Sequence, residues 1–543
     1  MTVGSALAGV LRSTTLDALG SIRVHDAIVI GAGAAGGLAA LLLAEAGLRV
    51  LVLNAGSRQS PIHSPVRWTT GQIMRQLSDP SILKFIPPPI AYRARGPLKV
   101  LARRRQPIQS QCYAWERAPD AFVDDLDCPY TTPPDRPFIW FRSRQLGGRM
   151  TIPGHGRQYY RFSVDDFAPQ DGLSPAWPVR PGELDPWYAM VERRLRLTGA
   201  RENSPWVPDS ELSSVVSPTP AEASLSAAIN TRWPGAAVLL GRYAAPLDAL
   251  EQASLTGRLL VRQGAIAREI EVDNSGKVQG VLWIDQESGT EERAIAPLVF
   301  VCASALESTR LLLLSRSPRS QQGIGSSSGV LGRFLMDHVM IKAEGIGPEL
   351  LAGAQPDEGR CLYLPHFDRR ADTSPVRQRG FGVQIYQFQA VARSSYFIAV
   401  AFAEMLPRAT NRVTLNPSRR DAWGIPALHI DCDFGLEECV QADEQVAAMR
   451  ELAEVAKVEI VRIDKTPPHP GSANHECGTA RMGNNAATSV LDPYNQCWDA
   501  RGLYVTDSSC FPSQGSQNPT LTILALTARA CHHALKNYNS DLT

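Results

Sequence analysis

Near its N-terminus the chain reads HDAIVIGAGAAGGLAALLLAEAGLRVLVLNAG, and this segment limits the fold more than any other. The apolar run Ala27 to Ile30 predicts a buried strand, the Ala/Leu-rich stretch after the glycines a helix, and Val50 to Leu53 a second strand. Gly31 permits a tight turn, Gly33 lets backbone approach a pyrophosphate, and Gly36 lets the helix pack on the sheet. With Ala34 and Ala35, the helix N-terminus offers unpaired N–H groups and the positive end of its dipole to phosphates. A lone GxGxxG is weak evidence, but a strand before it and a helix and strand after it make this a dinucleotide-binding opening. The position ending the second strand ordinarily carries Glu or Asp for the adenosine ribose; here it is Asn54, followed by Ala55. An amide can still bond a ribose diol, while the missing carboxylate and Arg58 nearby also fit a site tolerating a 2′-phosphate and keep NADP open as an alternative.

Composition closes off other classes. The 543 residues carry 55 Lys+Arg against 54 Asp+Glu, so there is no global field for nucleic acid or an anionic membrane. No apolar run approaches the roughly 18 to 20 residues of a membrane span. The apolar patch Ala6 to Leu11 lacks a basic leader and is cut off by Arg12, so no signal peptide is expected. The ten cysteines then read as thiols of a cytoplasmic protein, with Cys302, Cys477 and Cys510 as small buried residues. The 42 Gly and 40 Pro imply many turns. Residues 58–140 are Pro-rich and irregular, and their basic cluster, Arg93, Arg95, Lys99, Arg103, Arg104 and Arg105, is expected to be a solvated face. Residues 225–315 have α/β texture; 346–433 read as successive strands of an antiparallel sheet, followed by a helix from about Leu436 to Val461.

Chemistry concentrates near the C-terminus, in NHECGTARMG (474–483) and in SVLDPYNQCWDARGLYVTDSSCFPSQGSQNPTLTILALTARACHHAL (489–535). With FRSRQLGGRM (141–150), LVFVCASALESTRLLLLS (298–315) and GVLGRFLMDHV (329–339), these segments resemble the glucose-methanol-choline (GMC) family of FAD-dependent oxidoreductases, in family order. PYTTPPDRPFIWFRSRQLGGR, LYVTDSS and SQNPTLT look most like its bacterial glucoside and C-glycoside 3-dehydrogenase or oxidase branch, whose members oxidise a secondary sugar hydroxyl to a keto sugar.

The resemblance implies an α/β plus α+β fold: a Rossmann-like FAD-binding domain (20–60, 140–165, 225–345, 485–540), a Pro-rich segment covering the FAD (61–139), and a substrate domain (166–224, 346–484) built on an antiparallel sheet flanked by helices. His475 takes the general-base position, which suits an imidazole titrating near neutrality. Asn518 takes the second active-site position, although Asn518 and Pro519 would equally start the helix at Thr520 as cap and first residue. That helix N-terminus would face the flavin pyrimidine. Asp507 and Ser508 match the ribityl-binding strand end; Arg144, Gly147 and Gly148 match the segment beside the ring, and Ala265 and Ala303 are further cofactor contacts. Members with covalent FAD use a His five residues after the first glycine of LGG; this chain has Ile152 there and His155 three residues on, so noncovalent FAD is expected. Strand alternation puts Gln384 and Tyr386 on one face as candidate substrate contacts, with Gln387 and Gln389 on the other. His475, Glu476 and Cys477 are too adjacent for a metal site, and none is expected. A small sugar or glycoside is the expected partner, with O2 or another electron acceptor. A different alcohol, a flavin-dependent lyase or isomerase, and a non-enzymatic nucleotide-binding scaffold stay open.

Overall fold

The computed structural model describes residues 25–56, 100, 103–153, 157–168, 172–317, 320–348, 359–369, 380–389 and 395–542. Arg58, Arg93, Arg95, Lys99 and His155 lie outside them. Five parallel strands form the first sheet, in spatial order Leu503–Val505, Leu298–Val301, Ala27–Ile30, Val50–Asn54 and Leu259–Gln263. Side chains alternate, so Ala27, Val29, Val50, Val52 and Phe300 pack on the helices Ala34–Glu45 and Thr520–Leu542. Ile28, Ile30, Leu51, Leu53, Val299 and Val301 pack the other way, in the core shared with the strands Ala265–Val272 and Val278–Asp285 and the helix Ala305–Leu314. Cover on both faces is why AIVI and VLVL are apolar at every position. Strand order reverses between Ala27–Ile30 and Leu298–Val301, and the carboxyl ends at such a switch point are where an open α/β sheet binds its ligand.

The second sheet has six antiparallel strands, in order Glu459–Ile463, Val339–Gly347, Ser395–Ala403, Phe381–Gln389, Leu362–Leu364 and Leu239–Leu240. Val339, Ile341, Val383, Ile385 and Ala401 form one core with Leu225 and Ile229 of the helix Pro220–Arg232 and with Ala448, Met449 and Leu452 of the helix Leu436–Val455. The register between Phe381–Gln389 and Ser395–Ala403 is unbroken, with Gly382 opposite Phe402 and Gln384 opposite Val400, so Gln384 and Tyr386 share a face.

Three expectations change. The helix from Leu436 ends at Val455, because Lys457 adopts a left-handed φ of 54° and the β-branched run after it pairs as an edge strand, Glu459–Ile463. The strands in NRVTLNPS and IPALHIDCDF leave the large sheet for a separate hairpin, Arg412–Arg420 with Pro426–Asp431. Val413, Leu428 and Ile430 of that hairpin lie in the first core, as do Cys477, Ala480 and Met482, whereas Leu225, Ile229, Leu240 and Val339 lie in the second. Packing therefore divides the chain more finely than boundaries at 225, 345 and 484 do. In the described part of the basic cluster, Arg103 and Arg104 are exposed, while Arg105 pairs with Asp124 and Asp127. All ten cysteines are free thiols and only Cys439 is exposed. Among the described residues, no helix is long and apolar enough to cross a membrane, and no cluster of three or more His, Cys, Asp or Glu could hold a metal ion.

Candidate active site

The carboxyl ends of the parallel strands open into a cleft walled by glycine backbone. Gly31 has φ +97°, and a Cβ there would lie 2.5 Å from the Cys302 carbonyl oxygen. Gly33 has nothing within 4 Å of where a Cβ would stand, so its backbone faces open space. A Cβ on Gly148 would come 3.1 Å from the Gly33 Cα, which shows how closely the LGG segment crosses the dinucleotide turn. Of the expected cofactor residues, Gly31, Gly33, Ala34, Ala35, Asn54, Ala55, Arg144, Gly148, Ala265, Ala303, Asp507, Ser508, Asn518, Pro519 and Thr520 line this cleft, which continues to His475. Gly36 and Gly147 do not line it. A Cβ on Gly36 would strike the Gly31 carbonyl oxygen at 1.9 Å, and Gly147, at φ +79°, ties the LGG segment to the dinucleotide turn by donating its N–H to Ala32 O. Both glycines shape the cleft from behind.

The position that departs from the usual acid has a clear geometry. The Asn54 Nδ2 donates to Arg144 O at 2.9 Å and to Gly56 O at 3.4 Å. Carbonyls only accept, so the amide's NH2 must face them, which leaves Oδ1 as the acceptor a ribose hydroxyl needs. Asp507 is buried and already engaged: Ser308 Oγ donates to Oδ2, and Ser509 N–H and Oγ donate to Oδ1 at 3.0 and 2.6 Å. It therefore ties the end of Leu503–Val505 to the first turns of Ala305–Leu314, with burial pushing its carboxyl up.

His475 stands on a loop shaped by Asp337, whose carboxylate accepts the N–H groups of Gly471 (2.7 Å), Ala473 (3.1 Å) and His475 (2.9 Å). Burial, with Glu476 nearby, pushes the Asp337 carboxyl up to about 7. The His475 Nδ1 lies 2.7 Å from the Nδ1 of His338, and the His338 Nε2 lies 2.6 Å from Gly515 O. On the other side, Asn518 Nδ2 is 3.4 Å from His475 Nε2. The Asn518 Oδ1, the atom a helix cap would offer, accepts Gln384 Nε2 at 2.5 Å, and Tyr386 Oη donates to Gln384 Oε1 at 2.9 Å. Gln384 and Tyr386 thus reach the site through Asn518, while the cleft wall at this end is built by Gln158, Asn474, His475 and Asn518. Sequence reasoning placed GVLGRFLMDHV near the family pattern but gave Asp337 and His338 no role; the only local signal was an Asp-His pair entering a strand.

Arg149 braces the same loop. Its guanidinium makes a bidentate pair with Glu476, 3.2 and 2.9 Å, and lies 3.4 Å from Asn474 Oδ1; the Glu476 side chain is 1% exposed. Removing Arg149 strands a buried carboxylate, so Arg149→Met is expected to lose about 3–5 kcal/mol of stability. A thermal melt unchanged from wild type would contradict that.

Residues 407–527 match the family model described as GMC oxidoreductase, and residues 26–73 match the one described as FAD binding domain. With these two matches the chain resembles the GMC oxidoreductases. It is an FAD-dependent oxidoreductase acting on CH–OH groups. Over 401 residues, covering 67% of this chain and 68% of the relative, it is 28% identical to the 2-methyl-1,2-propanediol dehydrogenase of Mycolicibacterium austroafricanum. It is 26% identical to the 6'''-hydroxyparomomycin C oxidase of Streptomyces lividus, covering 96% and 93% of the two chains. It is 27% identical to the C-glycoside 3-oxidase of Arthrobacter globiformis, covering 57% and 58%. The cleft fits the cofactor of a GMC enzyme: open space over Gly33 at a helix N-terminus suits a pyrophosphate, and the cleft runs without interruption from there to His475.

Proposed function

We propose that this enzyme oxidises the C3 hydroxyl of a glucoside, C-glycoside or related pyranose to the keto sugar. The observation that carries the alcohol oxidation is the pairing of His475 Nε2 with the Asn518 amide at the end of the flavin cleft, with Gln384 and Tyr386 holding that amide in place. His475 Nε2 takes the hydroxyl proton, and once Nε2 is protonated the Asn518 N–H is released to bond the substrate oxygen. Bound FAD supplies the acceptor for the carbinol hydride. Gly31, Gly33 and the start of Ala34–Glu45 would hold its pyrophosphate, Asn54 its ribose, Asp507 and Ser508 its ribityl side, and Gly148, Pro519 and Thr520 its ring. Ile152, in the place of a covalent His, is buried in a small apolar cluster, which supports noncovalent FAD. Flavin should then leave with the supernatant on acid precipitation; flavin retained in the pellet would contradict it.

The glycoside reading draws on the motif resemblance and on the C-glycoside 3-oxidase relative. A diol is the second reading, favoured by the 2-methyl-1,2-propanediol dehydrogenase relative. Anaerobic bleaching of the flavin by a panel of glycosides and simple diols separates them: glycosides are expected to bleach it faster, and failure of every sugar overturns the first reading. A product two hydrogens lighter than its substrate marks oxidation; unchanged mass marks isomerisation.

A further inference from the structure

We infer that His338 is a positioning residue that sets the tautomer of His475, leaving the Nε2 lone pair of His475 on the side of Asn518. This rests on His475 being the base. The deduction starts from the one group in the chain of contacts that cannot donate, the Gly515 carbonyl. It lies 2.6 Å from His338 Nε2, so that nitrogen carries the hydrogen. His338 is 1% exposed, and burial holds its imidazole down at about 4, so it is neutral and its Nδ1 is a lone pair. The Nδ1 of His475, 2.7 Å away, must then donate, and a neutral His475 has its lone pair on Nε2.

The rest of the array agrees. A lone pair at His475 Nε2 is what the Asn518 NH2 requires. With that NH2 turned to His475, Asn518 presents Oδ1 to the NH2 of Gln384, and Gln384 presents Oε1 to the hydroxyl of Tyr386. Every donor from Tyr386 to His338 points the same way and the file ends on backbone. The opposite tautomer of His475 would set two lone pairs 2.7 Å apart at the two Nδ1 atoms and two hydrogens together at Asn518. When His475 takes a proton at Nε2 its Nδ1–H stays on His338 Nδ1, and that bond becomes charge-assisted. His338 thereby steadies the imidazolium without taking the proton.

The test uses the full-length holoenzyme with 15N-labelled histidine, His475 being assigned by the signals lost in His475→Ala. At a pH where His475 is neutral, its Nδ1 should be pyrrole-type and its Nε2 pyridine-type, with the reverse in His338; a pyridine-type Nδ1 in His475 overturns the inference. His338→Leu, with no acceptor, should slow anaerobic flavin reduction by roughly 10²-fold while flavin stays bound. His338→Asn, whose Oδ1 can accept where Nδ1 did, should recover most of that rate. A Leu variant within threefold of wild type, or an Asn variant as slow as Leu, also overturns it. If neither variant folds, the wild-type spectrum decides. Bleaching by His475→Ala would instead remove the base reading and leave the tautomer assignment standing.

Discussion

His475→Ala should give a folded, flavin-loaded protein whose flavin no longer bleaches with substrate, a loss of roughly 10³-fold or more in the reduction rate. The fold should survive because the loop is held by backbone: Asp337 accepts the His475 N–H, which Ala keeps, together with those of Gly471 and Ala473. The imidazole removed is half-buried, and its contacts with the His338 Nδ1 and the Asn518 amide are to side chains that other partners also hold in place. Cofactor binding should persist because the glycine turn lies at the other end of the cleft. Stopped-flow reduction under anaerobic conditions reads the rate and the visible spectrum reads the bound flavin. Bleaching within tenfold of wild type would take His475 out of the chemistry.

Gly33→Asp should give a protein as stable as wild type that purifies without flavin. No atom beyond its chain neighbours stands within 4 Å of a Cβ at Gly33, and its backbone is extended rather than left-handed, so a Cβ is accommodated without clash or backbone strain. An acid at the cap position of Ala34–Glu45 even favours the helix, which lacks acidic residues in its first turn. The same side chain puts bulk and negative charge where the pyrophosphate must approach. Gly36→Val is the contrasting variant: its Cβ would lie 1.9 Å from the Gly31 carbonyl oxygen, so folding itself should fail. The ratio of flavin absorbance to protein absorbance, with a thermal melt, distinguishes the two. A Gly33→Asp protein with full flavin content would show that the open space over Gly33 is not where phosphate sits.

Much of the cofactor cleft was legible before folding because its determinants are local. Strand, glycine turn, helix and strand follow one another within residues 27–54, and each has a signature a few residues long. The strand end at Asp507 and the helix start at Thr520 could be placed for the same reason. Harder to read was the division of the strands between sheets. NRVTLNPS looks no different from a strand of the large sheet, but Val413 is drawn into the first core by its neighbours in space. The end of the helix after Val455 is not legible locally, because the apolar spacing runs on into Glu459–Ile463, whose pairing with Val339–Gly347 is invisible to local pattern.

By itself the sequence determined the strand, glycine turn, helix and strand of a dinucleotide cleft, and the resemblance carried by its motifs singled out His475 and Asn518 as candidates. Tertiary structure decided what those residues can do. His338 meets His475 across 137 residues of chain, and Gln384 meets Asn518 across 134. Neither periodicity nor motif spacing carries such meetings. The direction of each hydrogen bond is set in turn by the Gly515 carbonyl, since a group that can only accept imposes its choice on every partner down the file.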